Sequence, residues 1–277
     1  MPEVKLVALL VGEPHAIELY TLRRLTAISS QLSVVQAENG SGLAARQRLL
    51  SLVRQHGIAA VVSRVLAGRL LGSTSERRMH SQLARLLDEP SLQRWWDESG
   101  LKPVIVPHLN HEQTRIEIAA LRPDIIVRVS GGVLRRRIFA EARVAALNIH
   151  HGMAPRIRGM WSIPWGIVEG RRDWIGATVH EIDDGIDTGR VFWRGAPQVA
   201  PGDTATTLFF RAHLEAVEAL TQTIRGFASG RQPATMAHGE SETSTYRSAA
   251  GLWAWARFIA SGEGRRSRTI LEGAIHE

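Results

Sequence analysis

The chain has 277 residues, 44% of them apolar and 22% charged, with no cysteine and 34 basic against 27 acidic side chains. That balance describes a well-buried globular chain and excludes a disordered, collagen-like or disulfide-stapled one. Without cysteine there is no thiolate metal site and no cysteine nucleophile.

From the N-terminus, Val4 to Val11 reads as a buried strand, and Glu13 onward through Leu22 and Leu25 as a helix. The opening apolar run is too short to span a membrane and lacks a small-residue cleavage site. No later run approaches the ~20 residues of a span, so a cytoplasmic protein is expected. A strand at Leu32 to Val35 leads to two arginine-rich helical stretches, about 43–71 and 75–97, with Ser75 placed to cap the second. Next come a strand at 103–106, a helix at 111–121, a strand at 124–129, a short turn and a strand at 144–149. Beyond Pro155 the pattern predicts a helix near 161–169, strands near 175–182 and 190–194, and a long helix at about 204–226. Residues 229–244 are linker-like. The alternation predicts an α/β fold with a doubly wound, mostly parallel, Rossmann-like sheet. It divides the chain into a domain over 1–228, with a helical insert at about 43–97, and a short C-terminal helical extension over 229–277. Trp253, Trp255 and Phe258 are the anchors of that extension, which suits a homodimer interface.

Lys5 and Lys102 are the only lysines, so arginine carries the net charge of +7. A nucleic-acid-binding protein is expected to cluster such charge with stacking aromatics, and this chain does not. The one asymmetry lies between Asn39 and Ser75, which holds five arginines and no acid. It reads as a covering helix with a solvated basic face, or alternatively as a surface helix touching anionic lipid.

Ligands of doubly wound sheets sit beyond the carboxyl ends of the strands. Asn148-Ile149-His150-His151 is such a strand exit, and alternation turns Asn148 and His150 to one side. It runs into Gly152-Met153-Ala154-Pro155-Arg156-Ile157-Arg158-Gly159, a turn-rich loop. A second exit, Val179-His180-Glu181-Ile182-Asp183-Asp184-Gly185-Ile186-Asp187-Thr188-Gly189, carries an acidic turn between glycines. Other patterns fail. Gly40-Ser41-Gly42-Leu43-Ala44-Ala45 fits a loose dinucleotide motif but follows the second strand and lacks an acid to hold a ribose. His108-Leu109-Asn110-His111-Glu112 has the wrong order for a helical zinc site, so no metal is expected.

The ordered set Asn-Ile-His, a proline with Arg-Gly, Gly-Ala-Thr-Val-His and Gly-Ile-Asp-Thr-Gly resembles the catalytic domain of the formyltransferases that use 10-formyltetrahydrofolate. That family includes the methionyl-tRNA, glycinamide ribonucleotide and amino-sugar enzymes. Glycine and Arg-Gly after the histidine, with a tryptophan downstream like Trp165, are similar to its polysaccharide-cluster branch. The resemblance implies that Asn148, His150 and Asp187 form a catalytic trio acting through a tetrahedral intermediate. Asn148 would donate to the oxyanion, His150 would donate to it or shuttle a proton, and Asp187 would tune the histidine. It also implies that Gly131, Gly132, Val133, Leu134, Gly152, Pro155, Asp183, Asp184, Gly185 and Ile186 hold the folate donor. Glu13, Pro14, Arg158 and Trp161 are candidates for the acceptor. His151 and His180 read as structural or supporting residues.

The expected activity is transfer of formyl to the amine of a small molecule, an amino sugar or a specialised metabolite. The alternatives are a 10-formyltetrahydrofolate hydrolase, a methionyl-tRNA formyltransferase-like enzyme, or a non-catalytic folate-binding or basic nucleic-acid-binding protein. The short segment after Ala228 disfavours the tRNA reading, because that enzyme carries a basic barrel domain there. The missing glycine-rich phosphate loop disfavours a phosphorylated ribose as acceptor.

Overall fold

The computed structural model describes residues 3–38, 73–200, 203–236 and 244–247, with Ile58, Val62 and Arg257 as single positions. The Gly40 motif, most of the arginine-rich stretch 43–71, and Trp253, Trp255 and Phe258 therefore lie outside the described residues.

β1 (Leu6–Val11) is almost wholly apolar because it runs through the middle of a seven-stranded sheet and is covered on both faces. Beside it lie β2 (Leu32–Ala37) and the edge strand β3 (Val104–Val106); on its other flank lie β4 (Ile125–Arg128) and β5 (Ala145–His150). These five are parallel, while β7 (Ala177–Glu181) and β8 (Val191–Gly195) close the sheet antiparallel. The strand order 3-2-1-4-5-7-8 reverses direction between β1 and β4, a switch point at which a crevice opens beyond the strand ends.

Alternation along β1 divides the core. Leu6, Ala8 and Leu10 face a cluster built with α1 (Ala16–Thr26), α6 (Ser162–Glu169) and α7 (Ala205–Ala228). Val7 and Leu9 face a second, smaller cluster with Ile118 of α4 (Glu112–Leu121) and Ile138 of α5 (Arg136–Phe139). The long helix α7 starts at a reciprocal cap, in which Thr204 Oγ1 accepts from Thr207 N at 3.2 Å and Thr207 Oγ1 accepts from Thr204 N at 2.9 Å.

Three local expectations are corrected. The helix expected over 75–97 is two helices, α2 (Ser73–Leu86) and α3 (Glu89–Glu98), because Asp88 takes a left-handed conformation (φ 50°) and Pro90 enters the next first turn. The turn expected between β4 and β5 contains α5. Residues in the expected helical extension form a strand, β9 (Thr245–Arg247), paired with β6 (Ile157–Gly159) in a separate two-stranded sheet.

A buried histidine pair joins the end of β5 to the helical layer. His151 Nε2 lies 3.1 Å from His213 Nδ1, and His213 Nε2 lies 3.1 Å from Thr21 Oγ1. Burial disfavours the imidazolium and pushes the His213 pKa from 6.5 down to about 4, against a hydrogen bond at Ile17 that works to raise it. The unfolded chain therefore binds a proton that the folded chain refuses between these two values. The stability owed to neutral His213 is complete above about pH 6.5 and falls as the pH drops toward about 4. Urea titrations across that window should show His213→Gln losing close to one proton from the slope of unfolding free energy on pH; an unchanged slope would refute the assignment.

Candidate active site

The parallel ladder between β4 and β5 pairs Arg128 with Asn148, and the antiparallel ladder between β5 and β7 pairs Asn148 with His180. Paired residues share a face of the sheet, so Arg128, Asn148 and His180 form one row across three strands at their ends. Arg128 Nε donates to Asn148 Oδ1 at 2.9 Å, and Asn148 Nδ2 lies 2.9 Å from His180 Nε2. This row fixes which way the Asn148 amide points.

Two residues further along β5, His150 shares the face of Asn148. Its Nε2 lies 3.1 Å from the Ile157 carbonyl oxygen and 3.3 Å from Ser162 Oγ. A carbonyl only accepts, so Nε2 carries a proton and Nδ1 is the atom that titrates. Nδ1 lies 3.3 Å from Asp187 Oδ2. Burial lowers the His150 pKa, and the Asp187 charge opposes that shift.

Asp187 reaches the site from the β7–β8 turn in a left-handed conformation (φ 52°), which aspartate tolerates better than most residues. Its Oδ2 also accepts from Gly159 N at 2.9 Å, and its Oδ1 lies 3.4 Å from His180 Nε2. Burial works to raise this carboxyl. The contact with His180, the charge of His150 and the Gly159 N–H outweigh it and hold the pKa well below the usual range. Asp187 is a permanent anion facing two imidazoles.

These side chains open into a pocket of about 380 Å³, whose walls include Gly131, Gly132, Val133, Leu134, Asp183, Gly185 and Ile186. Asp183 shapes the turn, with its Oδ1 accepting from Gly185 N at 3.1 Å and from Thr188 Oγ1 at 2.7 Å. Asp184 stands outside the lining and forms an ion pair with Arg136. Gly152 also stands outside it, packed behind His150 and against Ser162. Pro155 follows a cis peptide bond in the loop after β5, away from the lining.

The acceptor candidates are dispersed. Glu13 accepts from Gln36 Nε2 at 3.2 Å, and Pro14 precedes α1, at the end of β1. Arg158 donates to Ser244 Oγ at 2.8 Å and to the Ile186 carbonyl at 3.3 Å, and is not among the lining residues. Trp161 caps α6 and packs against the core.

Six lining residues were not singled out as site residues in the sequence: Arg128, Gly159, Met160, His180, Ile182 and Tyr246. Arg128 left a signal, a lone charge ending the apolar run Ile-Ile-Val. Tyr246 left none, since it reaches the pocket only through pairing of β9 with β6. That pairing depends on Gly159 (φ 99°), where an added Cβ would sit 2.2 Å from the Arg247 carbonyl oxygen.

Among the described residues no group of three or more His, Asp or Glu is arranged to hold a metal ion. Nor is any helix among them long and apolar enough to cross a membrane.

The family model described as formyl transferase matches residues 47–224. A methionyl-tRNA formyltransferase from Anaeromyxobacter dehalogenans is 34% identical over 146 residues, 52% of this chain and 46% of that protein. The one from Desulfotalea psychrophila is 33% identical over 146 residues, 52% and 45% of the two chains. The chain thus spans about half the length of the curated relatives it matches. Among solved structures, a 4-N formyltransferase from Francisella tularensis aligns with a TM-score of 0.51 at 14% identity, over 88% of this chain and 76% of that one. An N-formyltransferase from Helicobacter canadensis, in complex with folinic acid and dTDP-3-aminofucose, aligns with a TM-score of 0.52 at 15% identity, over 88% and 71%. At these identities the structural likeness establishes the fold.

Proposed function

The chain belongs to the formyl transferase family, and from that premise we propose that it transfers the formyl group of 10-formyltetrahydrofolate to an amine of a small molecule, an amino sugar or a related metabolite. The observation that carries this reading is the convergence of Asn148, His150 and Asp187 on one pocket. Its volume lies within the usual range for small-molecule sites. Val133, Leu134, Ile182 and Ile186 offer apolar walls to a flat heterocycle, and the backbone of Gly131 and Gly132 offers polar edges. The Helicobacter neighbour holds a formylated folate and an amino sugar nucleotide together, which supports the same pairing of donor and acceptor here.

When bound, the donor supplies a formyl group on a nitrogen that leaves as tetrahydrofolate. Asn148 Nδ2 keeps an N–H for the formyl oxygen as charge grows on it. His150, kept neutral by burial, takes the proton of the attacking amine at Nδ1. Asp187 stabilises the imidazolium so formed, and the proton passes to the departing nitrogen. Holding donor and amine together supplies a further part of the rate.

The test is release of tetrahydrofolate from 10-formyltetrahydrofolate with and without a panel of amino sugars and other amines. Asn148→Ala should lower amine-stimulated kcat by about 10²–10³-fold, the usual loss for one oxyanion donor. Release that ignores every amine would instead identify a hydrolase. The sequence relatives favour a second reading, with the amine of methionyl-tRNA as acceptor; charged initiator tRNA belongs in the same panel.

A further inference from the structure

Arg128 is a charged group that the trio does not use. It ends β4, lines the pocket, and donates only to neutral acceptors: Asn148 Oδ1 at 2.9 Å through Nε, and the carbonyls of Gly132 at 2.8 Å and Gly131 at 3.3 Å through Nη1. Among the described residues, no carboxylate lies within ion-pair distance of its guanidinium. Burial lowers its pKa, with the Asp187 charge acting the other way. A part-buried cation without a paired anion is costly, and here its planar fork spans two parts of the site.

We infer that Arg128 is a positioning residue that locks the Asn148 amide and ties it to the Gly131–Gly132 turn, so that the loop holding the donor and the group facing the formyl oxygen are aligned by one side chain. An asparagine amide has two faces of nearly equal shape, and only its hydrogen bonds decide which atom points where. A cation at Oδ1 excludes the flipped amide, because that flip would aim Nδ2 at the guanidinium. It also polarises the amide and strengthens its remaining N–H as a donor. A lysine in this place keeps the charge but loses the fork.

The inference rests on the formyl-transfer reading and is tested beside it, using the full chain. Calorimetry with folinic acid on the wild type tests the donor reading by itself. A double-mutant cycle of Arg128→Met and Asn148→Ala then tests the link. Arg128→Met should lower kcat about 10–100-fold, as for loss of a hydrogen bond from a charged group, and should raise the KM for the donor. In the Asn148→Ala background the kcat loss should shrink to less than about 3-fold while the KM rise persists. Arg128→Lys should recover the folding of the chain and little of kcat. By NMR, the Asn148 side-chain amide, assigned by its absence in Asn148→Ala, should shift in Arg128→Met without any ligand. A full kcat loss on top of Asn148→Ala, an unmoved amide signal, or complete rescue by lysine would each overturn the assignment. Folinic acid binding without these effects would refute Arg128 alone, and absent binding would refute the donor reading.

Discussion

Asp187→Asn lowers kcat/KM by about 10²–10⁴-fold at neutral pH, the range of a lost general acid-base partner, and leaves the fold in place. Asparagine matches the side chain in size and tolerates the left-handed backbone at φ 52°. What disappears is the anion 3.3 Å from His150 Nδ1 and 3.4 Å from His180 Nε2. In the wild type, burial lowers the His150 pKa and Asp187 raises it again in part. Removing the carboxylate takes away the larger of the two effects that oppose burial, the other being the hydrogen bond at the Ile157 carbonyl, so the His150 pKa falls further. The acid limb of the kcat/KM profile, which reports a base that must be neutral, therefore moves to lower pH in the variant while its plateau drops. Initial rates of tetrahydrofolate release across the pH range measure both effects. A variant with the wild-type plateau, or with its acid limb displaced to higher pH, would contradict the role given to Asp187.

Gly152→Val should remove activity as completely as His150→Ala, and should also destabilise the chain. A Cβ at position 152 would stand 2.5 Å from His150 Nε2 and 2.5 Å from Ser162 Cβ. Neither neighbour has room, since Ser162 begins α6 in the core and His150 is buried and held at Nε2 by the Ile157 carbonyl. Overpacking of this kind typically costs about 1–3 kcal/mol, and His150 must leave its place beside Asp187. Gly152→Ala should show a weaker form of both effects. Combined with Ser162→Gly, which clears one of the two clashes, it should regain stability and still lack wild-type activity. Thermal unfolding and turnover measured together separate the two losses, and a Gly152→Ala chain with unaltered turnover would refute the account.

Much of the site was legible in the chain itself. Asn148, His150 and Asp187 stand at strand exits, where polar residues interrupting apolar runs are conspicuous, and Gly131 to Leu134, Asp183, Gly185 and Ile186 lie along the same pocket. Asp184 and Gly152 illustrate the limit. Adjacent residues in a turn point in different directions, so Asp183 organises the turn while Asp184 pairs with Arg136. Gly152 matters for the space that it leaves behind His150, which no one-dimensional pattern records.

Hydrophobic periodicity and turn residues are local properties, and by themselves they determined the order of the central strands and most of the helices, the doubly wound class and the strand ends at which polar residues gather. Register is not local. That Arg128 stands beside Asn148, and Asn148 beside His180, follows from hydrogen-bonded ladders joining residues 20 and 32 positions apart. That Tyr246 closes the pocket follows from β9 pairing with β6 across more than 80 residues. Such pairings are chosen by the burial of both faces of the whole sheet at once. For that reason the amide orientation of Asn148, and the cation that sets it, were decided only by the tertiary structure.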